Sequence, residues 1–163
     1  MEIILAENHG FCYGVKRAVE MANEAAEGKG KSYTLGPIIH NPQVVGRLES
    51  KGVSPIQEVA DIDEGTMIIR SHGVGPAIYA EAEEKGLHIL DATCPHVKKA
   101  QQDAKSVIED GMTLVILGEK NHPEVKSINL WANNKGIIIE DEESAQKLQI
   151  VEKMGVVVQT TFS

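Results

Sequence analysis

The chain repeats itself. With Cys12–His40 set over Cys94–His122, at a constant offset of 82 residues and without a gap, nine of 29 positions are identical. The matches include both cysteines and two of the six histidines. Each cysteine is followed after 23 residues by Leu-Gly, Leu35-Gly36 and Leu117-Gly118, and four residues after each glycine stands a histidine, His40 and His122. Coincidence does not keep the spacing of rare residues, so duplication of one supersecondary unit is the better account, and the fold must be built from like modules. A weaker match continues it, with Gly65–His72 over Gly155–Thr161 after a small insertion. The chain stops two residues after that second polar turn, so the second unit is expected to be cut short.

Each unit mixes strand and helix. Short apolar, largely β-branched runs at Glu2–Leu5, Ser32–Leu35, Met67–Ile69, His88–Leu90, Leu114–Leu117, Ile137–Ile139 and Val156–Val158 predict buried strands. Helical periodicity fills several of the intervals, most clearly at Val15–Ala26, Pro42–Ser50, Pro76–Lys85 and Val97–Ile108. Alternation of this kind predicts an α/β fold of tandem, pseudo-symmetric αβ modules with mainly parallel sheets. The acidic run Glu140–Glu143 reads as a solvated turn or a helix start. Aromatic residues are 4% of the chain against 42% hydrophobic in all, so the core must be mostly aliphatic.

Charge and cysteine usage narrow the function. A net charge of −8 argues against general nucleic-acid binding and against a polybasic membrane anchor. No apolar run approaches the ~20 residues of a membrane span. The first residues lack a basic segment and a long apolar one, so the cytoplasm is the expected compartment. A structural disulfide between Cys12 and Cys94 is not expected there. Taken alone, both cysteines also suit the role of small buried hydrophobes.

Polar residues with chemical options cluster just after strands: His40-Asn41, Arg70-Ser71-His72, Asp91-Ala92-Thr93-Cys94, Asn121-His122-Pro123-Glu124 and Gln159-Thr160-Thr161. Parallel sheets bind ligands outside the carboxyl ends of their strands, so these residues can converge on one site. His40, His72 and His122 each precede a helix start, where free N–H groups and the positive dipole end suit a phosphate or diphosphate. Glu124 falls in the first turn of its helix and is either a dipole-compensating residue or, beside a bound anion, a general acid. His9, His88 and His96 are expected at the surface or in local hydrogen bonds. Each cysteine stands beside a helix start, where thiolate is favoured. Two equivalent thiolates suggest a shared metal: zinc completed by histidines, for which Cys94, His96 and His122 are one set, or an iron–sulfur cluster, which needs three or four thiolates. A third unit would carry a further cysteine roughly 82 or more residues past Cys94, beyond this chain.

Taken together the motifs resemble the 4-hydroxy-3-methylbut-2-enyl diphosphate reductase family. The resemblance rests on Gly10–Ala18, Leu35–Asn41, Arg70–Val74, Asp91–Pro95, His122–Val125 and Gln159–Thr161, which run in family order from end to end. It implies a trefoil-like fold of three αβ modules around a [4Fe-4S] cluster, of which this chain holds two. Residues 1–12 would be a lead strand with the first cluster ligand, 13–93 the first module and 94–163 the second, cut short. It implies Cys12 and Cys94 as cluster ligands and His40, His72 and His122 as holders of an allylic diphosphate. Glu124 would deliver protons and Thr160 would position the substrate hydroxyl. Ferredoxin or flavodoxin would donate the electrons, and isopentenyl and dimethylallyl diphosphate would be the products, on the non-mevalonate isoprenoid route. Asn121 and Ser127 stand where the family usually has glycine. The alternative is a non-enzymatic diphosphate-binding fragment or relic of that enzyme. Two modules without a third are also expected to leave an apolar wedge open, so that the chain alone dimerises or aggregates.

Overall fold

The structure is a computed structural model that describes residues 2–7, 9–28, 30–149 and 152–162. Four prolines set helix starts, because a residue without an N–H and with φ fixed near the helical value fits the first helical position. They open α2 (Pro42–Ser50), α3 (Pro76–Glu84), α4 (Pro95–Glu109) and α5 (Pro123–Trp131). The helix α1 (Tyr13–Glu27) and the short α6 (Glu142–Gln146) complete the set among the described residues. The strands are β1 (Ser32–Leu35), β2 (Val53–Ile56), β3 (Thr66–Ile69), β4 (His88–Asp91), β5 (Thr113–Leu117), β6 (Ile137–Ile139) and β7 (Met154–Val158).

They form two all-parallel sheets, ordered β2-β1-β3-β4 and β6-β5-β7. The duplication is therefore visible as topology: a central strand, β1 or β5, flanked by the next two strands of its unit. The register refines the weaker part of the match. Thr34 pairs with Ile68 and Ile116 with Val157, which sets Arg70 over Gln159 and Ser71 over Thr160.

Side chains alternate across β3, so the first sheet is buried on both faces. Ile68 joins Ala18, Ala22, Val44 and Leu48 on one side, while Met67 and Ile69 join Val59, Ile62 and Leu87 on the other. The second sheet packs β5 and Val157 against α4 and α5 through Ala104, Val125 and Ile128. Its β7 leaves Met154, Val156 and Val158 exposed.

Two expectations are corrected. Glu2–Leu5 forms no strand: Ile3, Ile4 and Leu5 are 72%, 83% and 76% exposed. A strand needs a sheet edge to supply hydrogen-bond partners, and no described sheet offers this run one. The lead segment also includes residues 1 and 8, which lie outside the described residues. Conversely, Val53–Ile56 is a strand that the pattern hid. Ser54 and Pro55 break the apolar run, and Pro55 is tolerated because β2 is an edge strand. Among the described residues no helix is long and apolar enough to cross a membrane.

The units are joined at the turn after β3. The Trp131 Nε1–H donates to the Val74 carbonyl at 2.9 Å, and the Ser127 hydroxyl lies 2.9 Å from the His72 carbonyl. This joint holds the strand ends of the two sheets against one another.

Candidate active site

The carboxyl ends of the strands meet at one cavity of about 310 Å3. Every site residue expected from the sequence lines it: Cys12, Cys94, His40, His72, His122, Glu124 and Thr160. The chain folds this way locally because His40, His72, Cys94 and His122 sit in short links between a strand end and the next helix, Thr160 just after β7, Cys12 at the start of α1 and Glu124 in the first turn of α5. Cys12 and Cys94 are the cap residues of α1 and α4, and His122 is the cap residue of α5. Asn41 caps α2, its Oδ1 accepting the Val44 N–H at 3.0 Å, which fixes the preceding His40. Phe11, Val15, Ile39 and Val97 supply apolar wall.

The three histidines form a cluster. Ring centroids lie 4.4 Å apart for His40 and His72, 5.8 Å for His40 and His122, and 5.6 Å for His72 and His122. One nitrogen from each falls within 4.8 Å of the others, a spacing that also admits a metal ion. The hydrogen bonding favours an anion. His122 Nδ1 accepts the Glu124 N–H at 3.2 Å, so the neutral ring carries its proton on Nε2 and presents a donor. His72 is held neutral: burial first, then the charges of His40, Arg70 and His122, push its pKa down to about 3. Its Nδ1 is buried without a partner among the described residues. A donor on His122 and an unsatisfied ring on His72 are what a phosphate oxygen would complete.

Glu124 is 2% exposed. Its carboxylate is gripped by one residue of the neighbouring strand end: Oε1 accepts the Thr160 N–H at 2.6 Å and Oε2 accepts the Thr160 hydroxyl at 2.8 Å. Because that hydroxyl donates to Glu124, its oxygen lone pairs are left to accept from a group in the cavity. The Glu124 carboxylate is thus hydrogen-bonded through both oxygens to Thr160 at the edge of the cavity.

The cysteines approach through a glycine. A Cβ on Gly14 would lie 2.5 Å from Cys94 Sγ, so the first turn of α1 closes on the second thiol only because residue 14 has no side chain. Both thiols are free, and both line the same cavity. This donor set suits an iron–sulfur cluster as two of the three or four thiolates such a group needs. The alternative zinc set is not assembled. His96 is exposed and does not line the cavity, although Cys94 and His122 do. His9 and His88 are likewise away from it, in local contacts with the Ala6 carbonyl and Thr66.

Sequence reasoning missed the support for this site. Ser127 is buried in α5, where its oxygen accepts the Gln101 Nε2–H at 3.1 Å and lies 2.9 Å from the carbonyls of both His72 and Glu124. It thereby ties two cavity residues from different units. Its buried neighbours are visible only in three dimensions; the sequence offered no more than an unexpected serine. Ser71 and Thr161 also line the cavity and were readable as members of the polar turns.

Comparison with known proteins agrees with this geometry. A family model described as LytB protein matches residues 3–163. A curated relative from Geobacter metallireducens, named 4-hydroxy-3-methylbut-2-enyl diphosphate reductase, is 51% identical over 163 residues, which are 100% of this chain and 58% of that protein. One from Pelobacter propionicus with the same name is 52% identical over the same shares. A solved structure of (E)-4-hydroxy-3-methyl-but-2-enyl diphosphate reductase superposes with a TM-score of 0.84 at 46% identity, covering 98% of this chain and 58% of that one. The structure of the Plasmodium falciparum reductase superposes with a TM-score of 0.90 at 33% identity, covering 95% and 50%. The chain spans a little over half the length of the relatives it matches, and over that span its two units carry their parallel α/β architecture. The chain belongs to the LytB protein family.

Proposed function

We propose that this chain forms part of an iron–sulfur reductase that converts 4-hydroxy-3-methylbut-2-enyl diphosphate to isopentenyl and dimethylallyl diphosphate in the cytoplasm. The observation that carries the reading is the convergence of two thiols, three histidines and a threonine-bonded glutamate on one cavity. Its working parts are a first unit, residues 13–93, and a second, 94–163.

In this reading His40, His72 and His122 bind the diphosphate, assisted by the N-terminal ends of α2 and α5. The anion compensates the desolvated His72 ring and draws a proton onto it. Phe11, Val15 and Val97 cover the apolar allyl part and keep water from it. Thr160 Oγ1, held by Glu124, bonds the substrate hydroxyl and carries a Glu124 proton to it. The reaction takes up two electrons and two protons: the C–O bond breaks, the hydroxyl leaves as water with one proton, and the other proton goes to an allyl carbon. In this reading Glu124 moves these protons. Cys12 and Cys94 would hold a [4Fe-4S] cluster, which when bound supplies the electrons and a Lewis-acid site for the hydroxyl. Ferredoxin or flavodoxin is the electron donor.

A chimera tests this directly. This chain replaces the corresponding segment of the Geobacter metallireducens relative, and the product is reconstituted with iron and sulfide under anaerobic conditions. Turnover of the hydroxy diphosphate with a reduced donor is the expected result. A folded chimera with a full complement of iron and sulfide but no turnover overturns the reading.

A further inference from the structure

The two units carry different residues at one matched place. Arg70 directly follows β3 and Gln159 directly follows β7, and each lies against the glycine after its central strand. A Cβ on Gly36 would be 2.8 Å from Arg70 Nη1, and one on Gly118 would be 2.8 Å from Gln159 Oε1. Gln159 is paired at both ends: Oε1 accepts the Glu119 N–H at 3.0 Å, and Nε2 donates to Thr161 Oγ1 at 2.9 Å. Arg70 is not. Among the described residues its Nε is buried without a hydrogen-bond partner and no ion pair includes it. Burial lowers its pKa, with no acidic neighbour to offset the cost. A desolvated charge of this kind persists at a cost unless a partner arrives to pair it.

The surroundings fit such a partner. Arg70 opens on a second cavity, of about 270 Å3, which shares no lining residue with the histidine cavity. Lys126 of the second unit and Gln57 of the first also line it. No aspartate or glutamate does, in a chain with 24 acidic residues. Lys126 takes part in no ion pair among the described residues.

We propose that this cavity between the units binds a small phosphate-type anion, with Arg70 and Lys126 as its charged ligands and Gln57 as a neutral donor. A guanidinium offers paired N–H donors to two oxygens of one phosphate, and the ammonium completes the charge balance for a dianion. The site is independent of the reductase reading, because no residue of the proposed catalytic cavity belongs to it.

The test is a titration of the nitrogen-15-labelled chain, first with inorganic phosphate and then with inorganic diphosphate. The Arg70 Nε–H resonance and the amides of Gly73 and Lys126 are followed in the wild type and three variants. Arg70→Gln installs the residue that the second unit itself uses, Lys126→Gln removes the other charge, and His40→Ala disables the catalytic cavity. The expected result is a saturable shift of the Arg70 Nε–H. Affinity at the Gly73 and Lys126 amides should fall at least about tenfold in Arg70→Gln and about threefold in Lys126→Gln. His40→Ala should leave the Arg70 response unchanged. Absence of a saturable Arg70 shift up to about 10 mM phosphate overturns the proposal. So does loss of that shift in His40→Ala, which would make it an echo of the histidine cavity. If Arg70→Gln does not fold, the Lys126→Gln arm decides: an unchanged affinity there refutes the site. A silent histidine cavity beside a responding Arg70 would count against the reductase reading alone.

Discussion

The first and second units share a backbone and divide the chemistry. In each, the glycine after the central strand donates its N–H to the end of the next strand: Gly36 to the Ile56 carbonyl at 2.7 Å, Gly118 to the Ile139 carbonyl at 3.0 Å. Two residues beyond the third strand, each carries a hydroxyl. Ser71 Oγ donates to the Ile38 carbonyl at 3.3 Å and so braces the first unit's own loop. Thr160 Oγ1 donates to the buried Glu124 carboxylate instead. Sheet register cannot change without turning every side chain to the other face, so duplication preserves it. Residues beyond the strand ends are free of that constraint, and there Ser71 braces its own loop where Thr160 holds a buried carboxylate.

The largest expected effect breaks the second unit's acid. In the chimeric reductase, Glu124→Gln keeps the size of the side chain and lets it accept the Thr160 N–H, but it cannot carry a proton. Turnover should fall by about 10²- to 10⁴-fold with diphosphate binding retained. A variant with near-normal turnover would remove Glu124 from the proton path.

Gly14→Ala comes next, because it presses a methyl group onto the partner thiol. A Cβ at 2.5 Å from Cys94 Sγ forces one helix start to move. The cost should be about 1–3 kcal/mol by denaturant titration, with iron content after reconstitution falling in step. Undiminished iron in the variant would show that Cys94 is not needed where the structure puts it.

The hydroxyl pair sharpens the comparison at the matched position itself. Thr160→Ala strips a donor from a buried carboxylate oxygen and should cost about 1–3 kcal/mol. Ser71→Ala removes a longer bond to a carbonyl and should cost about 1 kcal/mol or less. Equal losses would mean that the two hydroxyls do the same work.

Much of this was legible in the sequence, for reasons that also explain the failures. Strand–helix alternation predicted the parallel α/β plan, and the duplication predicted like modules because spacing between rare residues survives wherever a backbone does. The convergence of the polar turns on one cavity was readable because ligand-facing turns follow the carboxyl ends of parallel strands. What failed was everything that depends on a partner. Glu2–Leu5 looks like a strand by composition, but a strand is a relation to a sheet edge, and none is offered to it. Val53–Ile56 looks unlike one, yet it pairs with β1 because an edge position forgives Pro55. Ser127 and Arg70 acquire meaning only from residues far away in the chain: Gln101 and the His72 carbonyl for the one, Gly36 and Lys126 for the other.

Acid sensitivity separates the units more gently. In the folded chain burial, with the charges around it, pushes the His72 pKa down from 6.5 to about 3. Between those limits the unfolded chain binds more protons than the folded one, so His72 makes stability fall as pH drops from about 6.5 towards 3. His72→Gln should flatten that slope in denaturant titrations at successive pH values. Diphosphate should also reduce it, by raising the folded-state pKa, and calorimetry in buffers of different ionisation enthalpy should record proton uptake on binding. A slope unchanged in His72→Gln would place the acid sensitivity elsewhere.

The smallest effect comes from the clearest contrast between matched helices. Counted from their opening prolines, Pro42 of α2 and Pro123 of α5, the fifth residues are Gly46 and Ser127. Ser127 is buried and ties two cavity loops. Gly46 is exposed, and a Cβ there would meet nothing within 4 Å. A helix-interior glycine with open space around it has only its backbone entropy to lose, so Gly46→Ala should stabilise the chain by about 0.5–1 kcal/mol. Ser127→Ala should destabilise it by leaving the Gln101 amide without an acceptor. Opposite signs at one matched helix position would show that it faces solvent in α2 and ties two cavity loops together in α5. A loss from Gly46→Ala would mean that the exposed face of α2 is covered in solution.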